Sequence, residues 1–480
     1  MPGFLRRAQS AFQRLVLRNT LTIFGASLTT VSVAAIVFIL FLGQFDFVNA
    51  AYLGIVTFLI LPLLMVGGLL SVAAGHYWAW LRPGSHPEPK ELESLLVIDL
   101  RDAGTRVTVF LVAVLTLVNI FMVSAVGYKG VRYSESVEFC GTTCHSVMEP
   151  EYTAFLDSPH SKIACAECHI GTGAQYFVKA KASGLRQVYG VLTGTYERPI
   201  KTPVHDLRPA RDICEDCHTP EKTLGLQLKR IPKFSEDEKN TELTTLLLLN
   251  IGGGAPSGKG IHEWHLAANR SVYYLPQKED RSEISLVRVR HADGMVEDFA
   301  PADFQGDPAT IPDSALRRMD CMDCHNRPAH QFQAPDRALD EALHAGEIDR
   351  NLPFIRKVGL EALLGAEKEE QPESFIRQHV TSFYASEYAN LGTELQDALD
   401  AAILRLTEIF RRNVFPHMKV GWNTYPVHNS HIASPGCFRC HDDAHSTAAG
   451  KAIRQDCTIC HQVLAWEEEN PQVAQDLGLQ

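Results

Sequence analysis

Six times in this chain two cysteines are followed at once by a histidine. Five of the motifs are C-x-x-C-H: Cys165, Cys168, His169; Cys214, Cys217, His218; Cys321, Cys324, His325; Cys437, Cys440, His441; and Cys457, Cys460, His461. The first, Cys140, Cys144, His145, has one residue more between its cysteines. All 12 cysteines are used. With 20 histidines in 480 residues, a histidine follows a given cysteine by chance about once in 24 times, so six in succession are not accidental. C-x-x-C-H is the attachment signature of c-type haem, in which two thioethers fix the porphyrin and the histidine is placed to ligate iron. Redox C-x-x-C pairs and zinc sites are the competing readings. The motifs predict six covalently attached haem c groups.

Nearly all long apolar runs lie before residue 130, and three uncharged stretches exceed the roughly 20 residues that cross a bilayer core. They are 21–42, 52–80 and 107–128. Arg6, Arg7, Arg14 and Arg18 precede the first, and Arg82, Lys90, Arg101 and Arg106 lie between the second and third. That bias sets the amino terminus in the cytoplasm and the chain after three crossings outside. The first stretch is longer than the core of a cleaved signal peptide and reads as a retained anchor. Pro62, Gly67 and Gly68 interrupt the second and suit a kink or close packing. His76, near aromatic residues at its end, reads as interfacial.

The expected architecture is mainly α: three N-terminal transmembrane helices, then a loop-rich multihaem cytochrome c domain with a small β insertion. Residues 1–130 are the anchor, 131–224 the first three haem sites and 225–318 the insertion. The fourth site lies in 319–335, a helical spacer in 336–425, and a two-haem segment in 426–480. In the insertion, alternation over Ser271 to Leu275, Ile284 to Arg290 and Met295 to Phe299, with a turn at His291-Ala-Asp-Gly294, predicts a hairpin or three-strand patch. Leu395, Leu399, Ile403 and Leu406 form a helical stripe in the spacer.

Six irons need about six further ligands. His160, His330, His431 and His445 rank highest because each lies a few residues from a motif, and His262 or His265 is the candidate from the insertion, with His265 preferred. A haem with both axial positions filled carries electrons, whereas an open one binds substrate; the surplus of histidines favours carriage. Oxidising a quinol releases protons and so needs a base near the accepting haem. Lys181, Glu149 and Asp157 are the candidates.

Cys140-Gly-Thr-Thr-Cys144-His145-Ser-Val-Met148, with Ser158-Pro-His160, Cys165-Ala-Glu-Cys168-His169, Cys214-Glu-Asp-Cys217-His218 and Cys321-Met-Asp-Cys324-His325, resembles the NapC/NirT (NrfH) family of membrane-anchored quinol dehydrogenases. The family usually has one anchor and a two-residue spacer at its first haem, and a lysine where Lys181 stands; members can bind the first iron through a methionine just after the motif, so the resemblance leaves His145 and Met148, one residue further along than usual, as alternative ligands there. The two closely spaced C-terminal motifs resemble the multihaem inner-membrane quinol oxidases of metal-respiring bacteria. The resemblance implies quinol as substrate, the membrane quinone pool as donor and periplasmic cytochromes or reductases as acceptors. It also implies the bacterial inner membrane, with the haem domain periplasmic. A relay or anchor subunit without quinol chemistry is the alternative; a nitrite- or hydroxylamine-type reductase is a lesser one, since no C-x-x-C-K motif occurs. The net charge of −11 argues against nucleic acid as a partner.

Overall fold

A computed structural model describes residues 19–42, 56, 60–81, 101, 103–143, 145–171, 174–203, 208–218, 225–252, 260–266, 269–389, 392–432 and 434–479. Two compact units divide the chain, Met1–His145 and Ser146–Gln480.

In the first unit, α1 (Thr20–Leu42) and α2 (Leu61–Leu81) pack along each other. Small residues allow the approach. A Cβ at Gly25 would lie 2.5 Å from the Gly68 carbonyl oxygen, and one at Gly68 would lie 2.4 Å from Thr29 Oγ1. Asn19 caps α1, accepting from the Thr22 N–H at 2.9 Å and donating to the Gly75 carbonyl at 2.7 Å. Pro62 falls in the first turn of α2. The expected break at Pro62, Gly67 and Gly68 is therefore a close contact at Gly68 within an unbroken helix.

Two helices among the described residues, not the expected three, are long and apolar enough to cross a membrane: Thr20–Ile39 and Leu61–Ala79. The third expected crossing falls within α3 (Ala103–Ser134), one continuous helix of 32 residues. It carries Arg106 near its start and Lys129 and Arg132 near its end, and most of its central side chains lie outside the described residues. The expected interfacial role of His76 also concerns a side chain outside them.

In the second unit, α4 (His145–Leu156), α5 (Cys165–His169), α6 (Ala174–Thr193) and α7 (Ala210–Cys214) carry the earlier sites. The largest apolar core belongs to α9 (Pro335–His344), α10 (Ile355–Ala366), α11 (Pro372–Glu387) and α12 (Thr393–Asn413). The predicted stripe is buried there at Leu399, Ile403 and Leu406 and continues through Ile409 and Phe410. No cysteine lies in this module. The helix α8 (Ile261–Leu266) precedes the insertion sheet.

That sheet has four strands in the order β5-β4-β3-β6: β3 (Arg270–Pro276), β4 (Ile284–His291), β5 (Val296–Phe299) and β6 (Arg317–Arg318). The expected turn closes on Gly294, with φ +89°, where glycine is favoured. A second sheet was not expected. β1 (Leu226–Phe234) and β2 (Glu242–Asn250) pair antiparallel, and β7 (His461–Glu468) adds to β2. The Leu246 to Leu249 run lacks alternation, so its period did not announce a strand.

The β1–β2 turn is tied to the helical module. Asn240 donates to the carbonyls of Arg350 and Leu352 and accepts from the Arg356 N–H. The buried Arg356 guanidinium bonds Asp340 at 3.2 Å and Glu236 at 2.6 Å. Burial pushes the Asp340 carboxyl up, and Arg356 pulls it back. Replacing Arg356 by Met strands that carboxylate, so Arg356→Met is expected to cost about 3 kcal/mol, read as a lowered thermal midpoint in detergent. Arg411→Ala, which breaks a surface pair with Glu373, is expected to leave the midpoint in place.

Candidate haem centres

Each described C-x-x-C-H motif is wound into a short helical turn. The histidine N–H donates to the carbonyl of the first cysteine in His218 (2.7 Å), His325 (2.8 Å) and His441 (3.0 Å), and His461 does the same to Cys457. Such a turn gathers two thiols and an imidazole on one side. Asp320 and Asp456 cap two of these turns through the N–H groups of Met322 and Thr458. The described motif cysteines form no disulfide.

Every motif histidine whose ring is described faces a second histidine. The ring centroids are 6.1 Å apart for His169 and His330, 6.0 Å for His218 and His160, and 6.4 Å for His325 and His262. They are 6.0 Å apart for His441 and His265 and 6.1 Å for His461 and His431. Two imidazoles bound to opposite sides of one ion, with metal–nitrogen bonds of about 2 Å, have centroids roughly 6 Å apart. A tetrahedral zinc site would need four ligands, and among the described residues no group of three or more His, Cys, Asp or Glu is placed to hold a metal.

The ring nitrogens divide in the same way. His330 Nδ1 lies 2.9 Å from the Glu151 carbonyl oxygen, His265 Nδ1 2.7 Å from that of Ile261, and His441 Nδ1 3.0 Å from that of Arg454. His160 Nδ1 lies 3.3 Å from the Pro328 carbonyl. An Nδ1–H donated to a carbonyl leaves Nε2 as the metal-binding nitrogen and fixes the ring. Burial holds the imidazoles of His169, His330, His325, His262, His265 and His461 below the usual histidine range. That favours the neutral form a metal requires.

His445 differs from the expectation. It is 3% exposed, with Nδ1 2.9 Å from Asp442 Oδ2 and Nε2 3.1 Å from the Ile284 carbonyl oxygen. Both nitrogens are engaged inside the protein and the ring faces no motif histidine among the described residues, whereas His262 takes a place among the facing rings. His428 and His417 likewise spend Nε2 on the carbonyls of Asp280 and Ser146.

The five sites follow one another in chain order. Cys168 lies within electrostatic reach of Cys217, the thiols of Cys214 and Cys321 touch, and Cys324 and Cys460 each sense Cys437. The fourth and fifth turns are locked by a buried network. Asp323, 1% exposed, accepts from Tyr274 (2.6 Å), Arg281 (2.9 Å) and Arg317 (2.9 Å). Arg439, inside the fifth motif, donates to the Asp323 carbonyl at 2.6 Å. Burial, with Asp323 alongside, drives the Tyr274 hydroxyl well above the usual tyrosine range, so it remains a donor.

At the first site, Cys140 is partly exposed, while Cys144 and the His145 side chain lie outside the described residues. Met148 and Glu149 follow His145 on α4. Glu149 Oε2 is 3.4 Å from His417 Nε2, and Asp157, just past α4, is 3.4 Å from Arg412. Lys181 sits on α6. Glu151, on α4, is paired with Arg327 at 2.7 Å, and Arg327 stacks over Tyr425 at 4.1 Å.

Residues 102–211 match the model of the NapC/NirT cytochrome c family, N-terminal region. Over 457 residues, 94% of this chain and 89% of the relative, the sequence is 36% identical to the cytochrome c-type protein ImcH of Geobacter sulfurreducens. The chain belongs to the NapC/NirT cytochrome c family. No solved structure matches it. Cytochromes of this family are membrane-anchored and carry covalently bound haem c, and the donor set fits that group. Cysteines outside any disulfide stand in turns with motif imidazoles, and the imidazoles face each other in twos.

His330→Ala is expected to open one iron to carbon monoxide in the reduced protein, and His445→Gln none. Carbon monoxide difference spectra against haem content check both.

Proposed function

We propose that this family member is a hexahaem cytochrome that oxidises membrane quinol and carries the electrons to periplasmic acceptors. The observation that supports this best is the set of five facing histidine pairs strung in chain order. Closed axial positions suit electron carriage rather than substrate turnover, which speaks against a nitrite- or hydroxylamine-type reductase. Bound haem c supplies a reversible one-electron iron couple. The protein's part would be to hold that group between paired imidazoles, to orient the rings of His160, His265, His330 and His441 through Nδ1, and to hold neighbouring attachment turns together.

Quinol oxidation requires two protons to leave. Glu149, four residues after His145 on α4, is the carboxylate nearest in sequence to the first motif's histidine, and His417 beside it is a second acceptor. Asp157 and Lys181 are the other candidates, Lys181 on the family's pattern. His145 or Met148 would complete the first iron.

An arginine-rich start inside and a haem-bearing part outside require an odd number of crossings. The helices α1 and α2 supply two, so this reading makes a demand on α3, whose exposed Phe110, Leu117 and Phe121 suit lipid. Alkaline phosphatase fused after residue 134 is expected to be active. Activity only of a cytoplasmic reporter at that point would overturn the orientation.

Purified protein is expected to be reduced by a menaquinol analogue. Glu149→Gln or Lys181→Ala should slow that step by about 10²-fold while leaving dithionite reduction unchanged. Unchanged quinol rates in both variants would remove the site from this place, and a wild type that quinol does not reduce would favour the relay or anchor reading.

A further inference from the structure

The helix α8 (Ile261–Leu266) is six residues long and carries two of the facing histidines. At 3.6 residues per turn, His262 and His265 stand about 60° apart around the axis and about 4.5 Å along it. They share a side of the helix without sharing a target. The ring of His262 faces His325 of the fourth motif at 6.4 Å, and that of His265 faces His441 of the fifth at 6.0 Å. Trp264 lies between them in sequence, is 45% exposed and is covered by the Arg270 guanidinium at 4.1 Å. That contact ties the helix to the start of β3.

Both ends of α8 are fixed. The His262 N–H donates to the Ile251 carbonyl at 2.9 Å, at the end of β2. There the backbones of Gly252 and Gly260 touch: a Cβ on Gly260 would lie 2.2 Å from the Gly252 Cα, and Gly252 has φ +62°. No side chain fits in that neck. At the other end, Arg211 of α7, just before the third motif, reaches the Leu266 carbonyl at 3.4 Å. On the far side of the two sites, Arg439 and Asp323 join the fourth and fifth attachment turns directly.

We propose that α8 is a shared axial-ligand helix. His262 completes the iron of the Cys321, Cys324, His325 site, and His265 completes that of the Cys437, Cys440, His441 site. The insertion is then a clamp that fixes the separation of two consecutive haems from the ligand side, as Arg439 and Asp323 do from the attachment side. This rests on the reading of the motifs as haem sites.

The full chain in detergent is tested by haem content, by carbon monoxide binding to the reduced form and by the spin state of the oxidised form. His262→Gly and His265→Gly are each expected to convert one haem per chain to a carbon monoxide-binding, high-spin form, and the double variant two. Added imidazole should restore the low-spin spectrum. Gly260→Ala, which touches neither ring, is expected to perturb the same two haems together. Should the glycine variants fail to accumulate, His262→Met and His265→Met are expected to give one methionine-ligated haem each, seen as a methionine–iron charge-transfer band and a raised potential. Full haem content with no new carbon monoxide binding in the glycine variants, or no methionine band in the methionine variants, overturns the shared helix. A wild type with too few haems overturns the reading of the motifs before any variant is considered.

Discussion

One arrangement recurs through the described fold: two imidazoles from separate parts of the chain meet with ring centroids about 6 Å apart, the spacing that a shared metal ion would require. An attachment motif supplies one of them locally, because a single helical turn sets its geometry. The other comes from elsewhere. His330, beside the fourth motif, faces His169 of the second, and His160, beside the second, faces His218 of the third. His262 and His265 come from the insertion. Each such pair closes a long loop, an entropic cost that loop-closure theory makes only weakly dependent on length and that ligation offsets.

The distribution of apolar packing fits this arrangement. Among the described residues the largest hydrophobic core lies in the cysteine-free helical module, while the clusters around Phe332, Tyr274 and Leu246 are small. Near the motifs the described side chains meet instead as imidazole pairs, clamps and charge partners. Asp323 illustrates the cost and its remedy. A carboxylate buried in an attachment turn is unfavourable alone, and Arg281, Arg317 and Tyr274 together satisfy it. The helical module in turn holds the β1–β2 hairpin through Asn240 and Arg356, and that hairpin carries β7 immediately after the last motif.

The motif turns follow the sequence directly because their geometry is local: spacing within five residues decides it. The strands at Ser271 to Leu275 and Ile284 to Arg290 were legible through alternation, and the Leu399 to Leu406 stripe through helical spacing. What was not legible depends on the tertiary fold. Nearness in sequence nominated His445, yet its ring is consumed by Asp442 and the Ile284 carbonyl, and no local signal separates that case from His431. His262 became a candidate equal to His265 only once α8 was seen to face two motifs. The β1–β2–β7 sheet was hidden because the leucine run in β2 has no period of two. The third expected crossing was an apolar stretch that the fold merges into a longer helix with charged ends.

The central claim is that this polypeptide uses paired histidines to complete irons held by its cysteine motifs. The most direct test is the haem stoichiometry of the purified chain, by intact mass and pyridine haemochrome, together with the spin state of the oxidised protein. The account predicts six covalent haems with at least five low-spin and closed to carbon monoxide when reduced. Fewer than five haems, or a majority that are high-spin and bind carbon monoxide, would contradict it.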